Sequence, residues 1–409
     1  MMFLKCERSN QKIREVILQH DREIFFFILI IISITIRVIL TPNTELSPDY
    51  DTYISTWMQE YRLRGIVAGI ANTIPGDDYY IPINLLYALA AQIPVPFYVS
   101  VSAISCSAEF LTVFFLYKIL SYLLQSPSSQ NSKFSIKAAL YASTILFIPA
   151  AILNGSYWKQ CDAVYVCFLI ISLYCVLKER YTAAVIWFSV SFCFKLQAIF
   201  FFPFLLIVWM LRRKFNFINF FWIPVVYIIA GIPAVLFHRG IKATYLIYYY
   251  QIQETTSFDE YGMNSYFPNI YAFGLDNFAA ELQTPAVLFA GLIILAGIVF
   301  IVHYCKNIDN QKLFLICCWI AETCCVFLPG MHERYDYLYL VLITVYSITF
   351  RHRLIPVAIT GCLCSLITYT MVFQLRGSMK LVVSLPVIAV FYIVAYSFLT
   401  YDLMRQIKD

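Results

Sequence analysis

The stretch FLICCWIAETCCVFLPGMHERYDYLYLVLITVYSITF (314–350) sets two apolar runs on either side of a knot of charge, His332, Glu333, Arg334 and Asp336. A chain that reverses between two such runs places its turn at a membrane boundary. Backbone groups inside hydrocarbon must be satisfied within helices, and charge is tolerated mainly at the rim or inside the bundle. Composition extends this reading to the whole chain. Its 409 residues are 61% hydrophobic and 13% charged, with a mean hydropathy of +0.73, against about 25% charged in soluble domains. Apolar runs recur from residue 24 to residue 402 without a large polar interval. The expected fold class is an all-α, polytopic membrane protein, a single integral-membrane domain over 1–409.

Lys and Arg fall in short clusters: a leader over 1–23, then 133–137, 178–180, 212–214, 306–312, 351–353 and 405–408. The positive-inside rule makes these loops cytoplasmic. Threading the apolar runs between them predicts about twelve transmembrane helices. They lie near 24–41, 97–122, 138–153, 162–177, 182–195, 197–211, 218–237, 283–304, 313–329, 337–350, 354–374 and 381–401, with both termini cytoplasmic. The first run is followed by PNTELSP rather than a small-residue cleavage site, so it reads as a retained span. The run IPINLLYALAAQIPVP (81–96) is short and bracketed by Pro82, Pro94 and Pro96, and reads as an interfacial helix. The outer face then holds a first loop (42–96), a second large loop (238–282) and the turn around His332. The two large loops carry Asp49, Asp51, Asp77, Asp78, Glu254, Asp259, Glu260 and Asp276.

Several function classes drop out. The formal charge of +5 is spread over short loops rather than gathered in a nucleic-acid-binding patch. Nearly all of the 13 cysteines lie inside apolar runs, where they read as small apolar side chains. No P-loop, dinucleotide-binding glycine motif, HExxH or CxxC occurs.

Four polar clusters share the outer level. In SPDYDTYISTW (47–57), Asp49 and Asp51 suit a general base or a divalent-cation ligand, and Pro48–Asp49 equally suits a helix cap. Asp77 and Asp78 in PGDDYYIP form a similar pair, one of them explained by a Gly-Asp turn. In NGSYWKQCDAVY (154–165), Tyr157 and Trp158 read as interfacial anchors, whereas Gln160 and Asp162 beside an indole suit the hydroxyls and ring face of a sugar. In SFCFKLQAIFFFP (191–203), Lys195 and Gln197 interrupt an apolar run. A lysine there snorkels, pairs or holds an anion. Glu109, Glu322 and Arg37 are further charges within apolar runs, open to pairing with one another. In the opening stretch, His332 and Arg334 offer donors for phosphate oxygens, and Glu333 offers Arg334 a local partner.

The stretches DYDTYISTW, NGSYWKQCDAVY, FKLQAIFFFP, YGMNSYFPNIYAFG and LPGMHERYDY, in this order over residues 45–340, resemble the bacterial relatives of the GPI-anchor mannosyltransferases. These are multi-spanning glycosyltransferases of the GT-C fold that use lipid-phosphate sugars. The resemblance implies a GT-C-like fold with helices of the first outer loop lying along the membrane. It also implies inverting transfer of a hexose, mannose or glucose, from a polyprenyl-phosphate sugar to a glycan or lipid acceptor outside the plasma membrane. Asp49 matches the catalytic base by position, with Asp51, Asp77 and Asp78 in reserve. Lys195, His332 and Arg334 would hold the donor phosphate; Trp158, Gln160, Asp162, Gln197 and Glu333 would serve the sugar and acceptor. No cofactor is required, and the DxD at 49–51 leaves room for a divalent metal. Lys159 and Asp336 depart from the family pattern, which commonly has a glycine and often an aromatic there. A transporter or flippase for a lipid-linked sugar is the competing class, though no internal repeat is evident. A non-catalytic assembly partner is a third.

Overall fold

The computed structural model describes residues 18–45, 47, 49–124, 135–255, 262–374 and 383–408. Leader residues 1–17, Pro48, Lys133, Asp259, Glu260 and residues 381–382 of the last expected span lie outside these, as do the side chains of Glu254 and Asp276. The described residues are all-α apart from one parallel two-residue pairing and an isolated antiparallel bridge between Tyr266 and His332.

Among the described residues, seven helices are long and apolar enough to cross a membrane. They start with α1 (Asp21–Leu40), which precedes two helices of the first loop region, α2 (Ser55–Ala71) and α3 (Ile81–Ala91), and the next long helix, α4 (Phe97–Leu123). A broken segment follows, α5 (Ile136–Ser143) and α6 (Pro149–Ile152), bent by 65° around Ile148–Pro149. Proline lacks the N–H that would continue the ladder, and the residue before it is driven out of helical geometry; Ile148 is extended. Next come α7 (Asp162–Leu177), α8 (Tyr181–Phe194), α9 (Phe202–Leu211) and α10 (Trp222–Leu236), then two short helices, α11 (Ile241–Tyr245) and α12 (Ile247–Thr255). The last five are α13 (Ala279–Tyr304), α14 (Asn310–Phe327), α15 (Tyr337–Phe350), α16 (Ile355–Gln374) and α17 (Leu385–Lys408).

Every one of the expected runs is helical, but α7, α8, α15 and the segment 196–211 are shorter than the remainder and α5–α6 is broken. What stands is therefore a multi-pass helical protein with at least seven helices of spanning length. Burial separates the helices into a centre and a rim. The core window of α1 is 11% buried, leaving Ile31, Val38 and Ile39 outward, whereas that of α14 is 78% buried. α7 and α15 are buried along almost their whole length.

The rim is fastened to the centre by charge. Arg37 of α1 donates from Nε to Glu109 of α4 at 2.5 Å, from Nη1 to Ser33 Oγ and from Nη2 to the Leu146 carbonyl. These two in-membrane charges pair with each other, as one of the sequence readings expected. In the first loop region, Arg62 donates to the carbonyls of Ala91, Ile93 and Val95 and stacks over Phe97, which fixes the exit of α3.

Candidate functional site

The polar clusters meet where the central helices begin. α7 starts at Asp162, α15 is preceded by Asp336, and Lys195 occupies an extended residue between α8 and the 3-10 turn Leu196–Phe201. Asp49 sits at the head of a π-helical turn, Tyr50–Ile54, and makes no side-chain cap bond, so the helix-cap reading of this residue is not realised. The His332 turn is clamped from the second loop. β1 (Asn264–Ser265) pairs with β2 (Met331–His332), Gly330 and Glu333 donate from their backbone N–H groups to the carbonyls of Met263 and Ser265, and Asn269 and Tyr271 donate to the last carbonyls of α14.

A continuous network results. Lys195 Nζ donates to Asp162 Oδ1 at 2.6 Å, and Asn154 Nδ2 donates to Asp162 Oδ2 at 2.8 Å. Arg334 is tight to one carboxylate, Glu333, at 2.6 Å, and loose to two others, Asp49 at 3.5 Å and Asp162 at 3.8 Å. Asp49 Oδ2 accepts from Trp158 Nε1 at 3.0 Å and from Gln160 Nε2. Gln160 Oε1 in turn accepts from the Tyr79 hydroxyl at 3.1 Å. His332 Nδ1 lies 3.8 Å from Glu333. Tyr335 stands between the cations, its ring centroid 5.9 Å from Lys195 Nζ and 5.8 Å from Arg334 Cζ.

The structure thus brings together Asp49, Trp158, Gln160, Asp162, Lys195, His332, Glu333 and Arg334. Asp78 joins them electrostatically, since Lys195 and Arg334 oppose the rise that burial imposes on its carboxyl, and Gln251 Nε2 donates to it at 2.9 Å. Gln197 is buried two residues beyond Lys195, with Oε1 unpaired. Asp51 is exposed. Asp77 turns to another set of partners, accepting from the Tyr79 N–H as a Gly-Asp turn should and from Asn84 Nδ2 at 2.7 Å. Trp158 acts from inside: its ring is covered by Tyr369, Phe373 and the Arg334 guanidinium, so its N–H, rather than its face, reaches the site.

No family model and no curated protein matches this chain. Its function therefore has to be argued from the geometry.

Burial pushes the Glu333 carboxyl up, but Arg334 and His332 more than offset this and hold it at about 2. Its charge keeps Arg334 in place. Burial drives Asp336 the other way, to about 8; the Tyr392 hydroxyl donates to it at 3.3 Å and to Glu322 at 2.9 Å. Asp336 therefore packs behind the site rather than facing into it. Around Asp162 and Arg334, several buried polar atoms make no hydrogen bond among the described residues: Arg334 Nε, Asn154 Oδ1, Tyr165 Oη and Asp336 Oδ1. Unmade hydrogen bonds in a buried setting cost free energy and are rare except where a ligand or water completes them. Among the described residues, no group of three His, Cys, Asp or Glu side chains could hold a metal ion.

Lys159 has a structural explanation. Its φ is +66°, the left-handed region that favours glycine, and Nζ donates to the carbonyls of Asn43, Ser156 and Tyr157 at 2.8, 2.6 and 3.0 Å. The lysine ties the end of the Leu153–Tyr157 turn to the chain just past α1.

Sequence reasoning missed Tyr79, Asn154, Tyr335 and Gln251. Asn154 carried a signal, an amide within an apolar run. The others are ordinary loop residues until the fold places them.

Proposed function

We propose that this chain is a GT-C-like glycosyltransferase that moves a hexose, mannose or glucose, from a polyprenyl-phosphate sugar to a glycan or lipid acceptor with inversion. In this reading it threads the plasma membrane about twelve times, keeps both termini in the cytoplasm and works at the outer face. The observation that carries the proposal is the state of Asp49. Its Oδ2 is held by Trp158, Gln160 and Arg334, while Oδ1 takes no hydrogen bond among the described residues and the side chain is 23% exposed. A carboxylate fixed through one oxygen and open at the other suits removal of the acceptor's hydroxyl proton as that oxygen attacks the anomeric carbon.

Departure of the lipid phosphate calls for cations beside it. Lys195 gives one of its donors to Asp162, Arg334 Nε lies 3.8 Å from Asp162 without a hydrogen bond, and both could turn toward a phosphate with His332. Arg334's loose contacts to Asp49 and Asp162 are the ones a phosphate oxygen would replace. Asp162, Gln160, Gln197 and Glu333 would orient sugar and acceptor, and no step requires a metal.

In proteoliposomes with a radiolabelled polyprenyl-phosphate hexose, Asp49→Asn should reduce transfer by about 10²-fold or more while leaving donor binding intact. Full transfer by this variant would remove the base assignment. Movement of the donor across the bilayer without any transfer would favour the flippase reading instead. Mass spectrometry of glycans from a deletion strain would name the sugar and linkage.

A further inference from the structure

Arg37 and Lys159 are buried cations with structural partners; among the described residues, Arg239 is as deeply buried but is explained neither by such partners nor by the proposed reaction. It follows α10 in a Schellman ending: His238, at φ +72°, donates from its N–H to the Val235 carbonyl, and the Arg239 N–H reaches the Ala234 carbonyl at 2.9 Å. This locks the backbone from which the side chain projects. The residue is 4% exposed, and its Nε and Nη1 atoms are buried without a hydrogen-bond partner. It enters no ion pair of 4.0 Å or less among the described residues. A buried guanidinium in that condition is strongly disfavoured unless an anion completes it.

Its electrostatic neighbours are Asp77 and Tyr61 of the first loop region. Asp77 is a poor counter-ion, because burial and Asp78 push its carboxyl up to about 7 despite Arg239. Asn84, which donates to Asp77 at 2.7 Å, keeps its own Oδ1 buried and unpaired. Around one dipeptide the electrostatics are therefore doubled: Asp78 feels the charges of Lys195 and Arg334, and Asp77 feels that of Arg239.

We propose that Arg239, with Tyr61 and Asn84, forms a second anion subsite beyond the Asp77–Asp78 turn, taking a phosphate or carboxylate group carried by the sugar acceptor. The assignment to the acceptor rests on the glycosyltransferase reading; the anion site itself does not. The donor phosphate already has Lys195 and Arg334, so a second oxyanion on the other side of the Asp77–Asp78 turn belongs to the other substrate. The unpaired amide oxygen of Asn84 suits a hydroxyl next to that group.

The test is calorimetric binding of octyl phosphate and octyl glucuronide to the full chain in phosphatidylcholine nanodiscs. Arg334→Gln serves as the background that weakens the first site. Binding should persist in Arg334→Gln, weaken about tenfold or more when Arg239→Gln is added, and be largely restored by Arg239→Lys. Asp77→Asn should tighten binding, a gain that misfolding cannot mimic. A preference for the phosphate or for the glucuronide names the acceptor's charged group. The subsite is overturned if neither probe binds the Arg334→Gln protein, if Arg239→Gln leaves binding unchanged in a protein that still melts cooperatively, or if Asp77→Asn weakens it. Should the subsite hold while Asp49→Asn retains full transfer, the reaction assignment fails and the anion site survives.

Discussion

Lys159 shows how much a single residue can carry. A non-glycine side chain in the left-handed region costs about 1 kcal/mol or more, whereas three charge-assisted bonds from one buried ammonium outweigh that. Lys159→Gly would relieve the backbone and lose the bonds; Lys159→Met would lose the bonds and keep the strain. Thermal midpoints should rank the native chain first, the glycine variant second and the methionine variant last. A glycine variant more stable than the native chain would mean that the carbonyl contacts contribute little. Asp336 makes a pH prediction. Burial raises its carboxyl to about 8 in the folded protein, against about 3.9 when unfolded. Its contribution to stability is thus fully present below about pH 4 and is lost as the pH climbs toward 8. Asp336→Asn, a permanent copy of the neutral acid, should match the native midpoint near pH 4 and exceed it near pH 8. A difference that does not change with pH would remove the buried-acid account.

Elements depend on close approach as well as on pattern. A Cβ on Gly155 would lie 2.8 Å from Ser105 Cβ and 2.9 Å from Glu109 Oε1. Ser105 holds the Gln160 carbonyl, and Glu109 holds Arg37. Gly155→Ala should therefore destabilise by about 1–3 kcal/mol and lower activity through the displaced Gln160. Gly291→Ala, where nothing lies within 4 Å, should be neutral or slightly stabilising. A loss of similar size at both positions would remove the steric account, since helix propensity favours alanine over glycine. The helices themselves were legible, because hydropathy and basic loops mark where a chain can cross: 162–177 and 337–350 coincide with the observed α7 and α15. The break at Pro149 was not foreseen, since the apolar run continues through it. The pairing of β1 with β2 left no trace either, being a two-residue contact between distant segments.

At the scale of the whole molecule, charge on loops marks possible sides but says nothing of distance, so which clusters share one mouth could not be read before the fold. Asp49, Asp162, Lys195 and Arg334 do share it, whereas the reserve candidate Asp77 turns to Tyr79 and Asn84. The depth of that mouth follows from the central helices. α7 has 16 residues, a rise of about 24 Å, whereas the hydrocarbon is roughly 30 Å thick. With its far end at the basic residues 178–180, its near end stops short of the opposite surface. In the proposed topology the floor carrying Asp162 would be sunk by about a fifth of the membrane. Part of the transmembrane voltage falls across that gap, so an anion settling on the floor moves through the field. At about 2.3 kcal/mol per charge per 100 mV for a full crossing, one fifth of the way shifts binding about twofold. A potential negative on the far side should raise KM for the donor by that factor per 100 mV in polarised proteoliposomes. A KM indifferent to voltage would put the site at the surface. The short central helices would thus make this reaction sensitive to the energised state of its membrane.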